Sequence, residues 1–299
     1  MRKRVITPLI ICGGIILTSL LAFIPINGVF KSNLTNWMSN IDDQKEIRTL
    51  SIPGTHDSGA THSIGDVAGK CQDLSIKEQL DIGVRFFDLR LQMVNDEFKI
   101  CHDFLDQKLS FKSVLSDLNN FIDKYETEFL LISIKKDYDT VNSQKGFTEL
   151  FKEYIAPYEN IVLDKEVPQY VKNARGKIYI IDRYGMDIGV PATGWHDNTV
   201  FETDDLYVQD YYCINEVEDK IQKIEETLSY SRQNKDKLTI NFASCYIDGG
   251  FPPSYAGTPA VKINKHLKEL FKIDASRVGI VLIDYIGSEL TSLIIGGNK

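Results

Sequence analysis

After residue 30, short runs of Ile, Leu, Val and Phe alternate with amphipathic stretches of helical period. The runs predict strands over residues 47–52, 84–93, 98–102, 129–135, 178–183, 206–209, 238–243 and 278–283. Many are continuously apolar, a pattern that suits strands covered on both faces. The intervening stretches predict helices over residues 76–82, 111–125, 144–154, 216–231 and 260–270. Strand–helix alternation implies a mainly parallel sheet with helices outside it. About eight such strands in one chain point to an α/β fold of one domain, a distorted TIM (β/α)8-type barrel. Val94-Asn95-Asp96-Glu97 reads as a tight turn, so one antiparallel pair is expected within that barrel.

Ionisable residues fall repeatedly where apolar runs stop. His56 and Asp57 follow the first run through Ile52-Pro53-Gly54-Thr55, and Asp88 and Arg90 lie in the second. His102 closes the third, Lys135 the fourth and Arg183 the fifth; Asp210 follows the sixth and Asp284 the last. An unpartnered buried charge is strongly unfavourable. The same residues facing one another around a polar pocket would satisfy each other, and barrel enzymes place their chemistry at those strand ends. Each residue also has a plainer reading: His102 as a core histidine, Asp88 with Arg90 as a structural ion pair, and Lys135 with Lys136 as a solvated strand end. His62, His196 and His266 have no comparable setting and read as surface or structural.

Charge and the chain's first segment narrow the partners. The formal net charge is −8, which argues against nonspecific nucleic-acid binding and against membrane attachment by charge alone. Arg2-Lys3-Arg4 precede an uncharged stretch over residues 5–30 whose apolar core spans 9–24 and ends at Pro25. Residues 1–30 thus have the layout of a signal peptide or signal anchor, and 31–299 would be the catalytic barrel. The expected location is extracellular, either secreted or tethered by an uncleaved N-terminal segment. Cys71, Cys101, Cys213 and Cys245 show no close metal-like pair, and free buried thiols are the expected state.

The segment Ser51-Ile52-Pro53-Gly54-Thr55-His56-Asp57-Ser58 resembles the opening motif of the phosphatidylinositol-specific phospholipase C X-domain superfamily. Gly83-Val84-Arg85-Phe86-Phe87-Asp88-Leu89-Arg90 is similar to its second signature, with His102 at the spacing of the second histidine. Val208-Gln209-Asp210-Tyr211-Tyr212 and Ile283-Asp284-Tyr285-Ile286 resemble later segments of its bacterial, metal-independent branch. The resemblance implies a phosphatidylinositol diacylglycerol-lyase in which the inositol 2-hydroxyl attacks phosphorus. It would release diacylglycerol and inositol 1,2-cyclic phosphate, with glycosyl-phosphatidylinositol anchors as a further candidate substrate. By the same resemblance, His56 is the general base oriented by Asp284, and His102 the general acid supported by Asp57. Arg90, with Asp88, acts at the phosphate; Lys135, Arg183 and Asp210 bind inositol hydroxyls, and Tyr212 covers the ring face.

That chemistry needs these residue types on independent grounds. A ring hydroxyl attacks well only when its proton is accepted, and an alkoxide leaves well only when it is protonated. Imidazoles titrating near neutrality do both. A guanidinium stays charged at any working pH and offers paired donors to phosphate oxygens. Arg90 would repel a bound Ca²⁺ at the phosphate, so no metal or other cofactor is expected. The expected partner is a phosphatidylinositol-containing membrane surface, with no nucleic acid, and the chain is expected to act as a monomer. Two other readings compete: a metal-dependent glycerophosphodiester or sphingomyelinase-D-like phosphodiesterase, and a noncatalytic inositol-lipid binding module. The first lacks Glu beside His56 and His102; the second would be marked by loss of a histidine or the arginine. The sequence departs from the family at Asp103, where bacterial relatives favour glycine. It also departs in the Gly/Pro- and aromatic-rich stretch at 245–258, a candidate membrane-contacting rim.

Overall fold

The computed structural model describes residues 34–64, 68–249 and 256–299. The expected leader at 1–30 lies outside them, as do Phe251, Pro252, Pro253 and Tyr255 of the rim stretch. Two 3-10 turns, Leu34–Asn40 and Ile47–Thr49, lead into β1 (Ser51–Thr55). There follow α1 (Ile76–Asp81), β2 (Phe86–Val94), β3 (Glu97–His102), β4 (Leu105–Ser110), α2 (Phe111–Lys124) and β5 (Phe129–Lys136). Next come α3 (Phe147–Ile155), β6 (Ile161–Val162), α4 (Val171–Ala174), β7 (Lys177–Asp182), β8 (Val190–Pro191), β9 (Thr199–Glu202) and β10 (Leu206–Asp210). The chain ends with β11 (Cys213–Ile214), α5 (Val217–Gln233), β12 (Leu238–Phe242), β13 (Tyr246–Ile247), α6 (Gly257–Ile273), β14 (Gly279–Ile283) and α7 (Ser288–Gly296). No helix among the described residues is long and apolar enough to cross a membrane.

Local chemistry sets several of these boundaries. Ser75 caps α1: its Oγ accepts from the Glu78 amide, and the Glu78 carboxylate accepts from the Ser75 amide in return. Ser110 caps α2 through the Ser113 amide at 3.1 Å. Asn95 and Asp96 both have positive φ, and Val94 faces Glu97 across an antiparallel pair, so the predicted β2–β3 hairpin is present. The first predicted strand is displaced. Residues 47–49 form a 3-10 turn, and β1 instead runs through Pro53 and Gly54, which the sequence presents as breakers. The glycine is there for space: a Cβ at Gly54 would lie 3.1 Å from Phe86 Cβ and 3.2 Å from Leu282 Cγ.

The main sheet is ordered β7-β5-β2-β1-β14-β12-β10, with every one of these neighbours parallel. First and last strands therefore pair, as in a closed barrel, but β7 and β10 do not pair with each other among the described residues. That gap is the distortion. Short strands line it: β6 and β8 lie along β7, and β9 runs antiparallel to β10.

Side chains alternate between two cores. Outward positions such as Phe87, Leu89, Ile132, Ile180 and Val281 pack with the helices. Inward positions such as Ile52, Phe86, Leu131, Ile181, Val208, Ile240 and Leu282 fill the interior with Trp37 and Met38. Further along each strand the inward row turns polar: Phe86 is followed by Asp88 and Arg90, Leu131 by Ser133 and Lys135, Leu282 by Asp284. Register aligns the change, since Asp88 sits beside Ser133 and Arg90 beside Lys135. The period of two thus converts apolar strand starts into a polar cluster at the C-terminal ends. Arg85, from the second signature, belongs to the structure instead: it is fully buried, paired with Glu128 at 2.8 Å and packed 4.6 Å from the Phe121 ring centre.

Candidate active site

One pocket opens at those strand ends. His56, Arg90, His102, Lys135, Arg183, Asp210, Tyr212 and Asp284 line it. Asp57 and Asp88 lie directly beneath, fully buried. All ten residues expected from the sequence are thereby gathered in one place.

His56 is held at both ring nitrogens. Nδ1 is 2.7 Å from Asp284 Oδ1, and Nε2 is 2.8 Å from Arg90 Nη2. Since guanidinium can only donate, Nε2 accepts and Nδ1 carries the proton to Asp284. Burial by itself would lower the His56 pKa; the charge and hydrogen bond of Asp284 outweigh both burial and Arg90, and the net shift is upward. His102 Nδ1 lies 3.7 Å from Asp57 Oδ2 and 3.1 Å from the Gly69 carbonyl oxygen. Burial raises the Asp57 pKa, against the pull of Arg90 and the two histidines. Asp57 adopts φ 41°, a left-handed conformation that short polar side chains tolerate.

Arg90 ties the cluster together. Its Nε lies 3.3 Å from Asp88 and 3.7 Å from Asp57, and its Nη1 is 3.7 Å from Asp137. Desolvation disfavours the buried cation, yet these carboxylates raise its pKa well above the ordinary value. Asp88 accepts from Ser133 Oγ at 2.7 Å and from the Asp57 amide at 3.1 Å, and faces Arg183 at 3.5 Å. Burial alone would raise its pKa; Arg90 and Arg183 lead the interactions that instead hold it well below the usual carboxylate range.

Arg183 spans the gap in the sheet. Its guanidinium carbon lies 3.7 Å from the Trp195 ring centre, and Nη2 is 3.6 Å from Asp210. Trp195 Nε1 donates to the same Asp210 oxygen at 3.0 Å. Of the two candidate lysines, Lys135 enters the pocket, pairing with Asp137 at 3.0 Å and Asp197 at 3.6 Å. Tyr212 stands 6.0 Å from Tyr246, ring centre to ring centre.

Sequence reasoning missed Asp137, Trp195 and Ser133. Asp137 was findable: it lies two residues past Lys135 on the same inward row, and Arg90 and Lys135 overcome its burial to set its pKa at about 2. Trp195 carries no signal, because it belongs to an irregular crossover whose position depends on the gap. Asp103 is exposed at the pocket edge, with φ 50° and its amide donating to Asp137. His62 and His196 are exposed and His266 pairs with Glu225 on the helical surface, so none of the three joins the site. The four described cysteines are unpaired.

An α/β barrel open on one side, with its charged residues gathered at the C-terminal strand ends, has the form of a barrel enzyme. Residues 50–184 match the model of the phosphatidylinositol-specific phospholipase C, X domain. A 1-phosphatidylinositol phosphodiesterase of Staphylococcus aureus is 31% identical over 88% of this chain and 94% of its own length. One from Listeria monocytogenes is 25% identical over 91% and 88%. The structure of a phosphatidylinositol-specific phospholipase C variant from S. aureus superposes with a TM-score of 0.80 at 30% identity, covering 90% of this chain and 99% of that one. The chain belongs to the phosphatidylinositol-specific phospholipase C X-domain family.

Proposed function

We propose that the protein cleaves phosphatidylinositol to diacylglycerol and inositol 1,2-cyclic phosphate, by proton transfer between two imidazoles. The observation that carries this reading is that His56 and His102 face one pocket, each with a buried carboxylate behind it, and that Arg90 contacts both His56 and Asp57. His56 Nε2, its tautomer set by Asp284, takes the proton of the inositol 2-hydroxyl as that oxygen bonds to phosphorus. His102, steadied by Asp57, returns a proton to the diacylglycerol oxygen as its bond to phosphorus breaks. Arg90 exchanges its contact with Nε2 for the phosphate oxygens, where its fixed charge offsets the negative charge that develops. Lys135, Arg183 and Asp210 hydrogen-bond the ring hydroxyls, and Tyr212 packs on the ring face. Asp137 holds Arg90 and Lys135 in place.

The fixed charge of Arg90 does the work a divalent ion would otherwise do, so the reaction is assigned no metal. The basic N-terminal residues followed by an apolar run support export of the chain. Membrane contact is apolar: Phe104 and Tyr138 are exposed, their ring centres 6.5 Å apart, beside Asp103 at the pocket edge. Incubation with phosphatidylinositol vesicles in excess EDTA is expected to release diacylglycerol and the cyclic phosphate at an undiminished rate. Activity that appears only on addition of Ca²⁺ or Mg²⁺ would overturn the metal-free assignment.

A further inference from the structure

Cys71, on the segment between β1 and α1, has no part in the proton transfers above, yet it forms part of the pocket wall. Its Sγ lies 4.0 Å from His102 Nδ1. Cys71, His102 and Asp57 each place one donor atom within 4.8 Å of the other two. Neither Asp57 carboxylate oxygen accepts a hydrogen bond, although both are fully buried. A buried carboxylate with unused lone pairs thus points at a thiol and an imidazole. Tetrahedral Zn²⁺ has bonds of about 2.3 Å to sulfur and about 2.0 Å to nitrogen and oxygen, so its ligand atoms lie roughly 3.3–3.6 Å apart. The edges of 4.0 Å to sulfur and 3.7 Å between His102 and Asp57 need to contract by only a few tenths of an ångström, and the third, between Cys71 and Asp57, lies within 4.8 Å.

Charge favours a cation here despite Arg90. Asp103, Asp197, Asp210 and Asp284 line the pocket, with Asp57, Asp88 and Asp137 behind, against Arg90, Lys135 and Arg183. Repulsion from Arg90 works against hard ions, which gain little from sulfur. A soft ion gains a thiolate bond in addition to the charge.

We infer that Cys71, His102 and Asp57 form an inhibitory site for a soft divalent cation, with Zn²⁺ as the type ion. This rests on the reading of His102 as the general acid. Binding forms bonds from the metal to Sγ, Nδ1 and a carboxylate oxygen. The Sγ proton leaves to solvent, and the His102 proton moves from Nδ1, where it faces the Gly69 carbonyl, to Nε2. A ligated imidazole could give up that remaining proton only by becoming an imidazolate, so the leaving alkoxide goes unprotonated.

The full chain titrated with Co²⁺ is expected to show a near-ultraviolet thiolate-to-cobalt charge-transfer band that Zn²⁺ abolishes. Phosphatidylinositol turnover should fall over the same Zn²⁺ range, recover with EDTA, and ignore Mg²⁺. Cys71→Ser, read against its own metal-free rate, should lose the band and need at least about tenfold more Zn²⁺ for the same fractional inhibition. Cys71→Ala, with its thermal unfolding measured, is a second variant that separates loss of a ligand from loss of the fold. No band in the wild-type chain, or a band and inhibition unchanged in a folded Cys71 variant, overturns the site. Because the band is read without turnover, it decides the metal site even if the phosphodiesterase reading fails.

Discussion

His56 shows how a single residue's neighbours fit it for the base role proposed above. Asp284 accepts a hydrogen bond from Nδ1–H and Arg90 donates to Nε2, so the lone pair that faces the pocket is the one a base needs. The same carboxylate raises the His56 pKa above 6.5 against the effect of burial. A base with a raised pKa loses its function as pH falls through that value, so the acidic limb of kcat/KM should lie above pH 6.5. Asp284→Asn removes the raising influence and leaves burial, so the limb should move to lower pH. The rate at its optimum should fall by about 10²–10⁴, because the tautomer is no longer enforced. A pH–rate profile of both proteins checks this, and an unmoved acidic limb would remove His56 from the role of base.

At the scale of elements, the decisive feature is that β7 and β10 do not pair among the described residues. Where backbone hydrogen bonds do not close the barrel, Arg183, Trp195 and Asp210 bridge its mouth with side chains. Trp195→Phe keeps an aromatic face for Arg183 but leaves the Asp210 oxygen without the indole donor. It should raise KM for the lipid more than it lowers kcat, and cost about 1 kcal/mol in urea unfolding. Trp195→Ala also removes the packing against Phe242 and Phe201 and should cost about 3–5 kcal/mol. The sequence made the long strands legible because their apolar runs are buried on both faces. It also made the site legible, because each run stops at an ionisable residue. The gap itself was not legible. It depends on two-residue strands such as β6 and β8, which carry no periodicity, and on Trp195 in an irregular crossover. α7 also escaped: its stretch 293–296 is too uniformly apolar and small to show a helical face, and its amphipathic character is weak. β1 was misplaced because Pro53 and Gly54 read locally as a turn, while Phe86 and Leu282 on neighbouring strands demand the small residue.

At the scale of the molecule, the fold brings together residues far apart in sequence. His56 follows β1 and Asp284 follows β14, and they meet because first and last strands pair in parallel. His102 arrives on the antiparallel β3, an addition to the regular strand order that carries the second imidazole to the pocket. The proposed mechanism divides the labour between these two rings. It is tested most directly with a phosphatidylinositol analogue whose diacylglycerol oxygen is replaced by sulfur. A thiol, with a pKa of about 8.5, leaves as the anion without help from an acid. His102→Ala should lose about 10²–10⁴ in kcat on the natural lipid and recover to near wild type on the sulfur analogue, whereas His56→Ala should stay slow on both. If the two variants are equally impaired on both substrates, the assignment of acid and base is wrong.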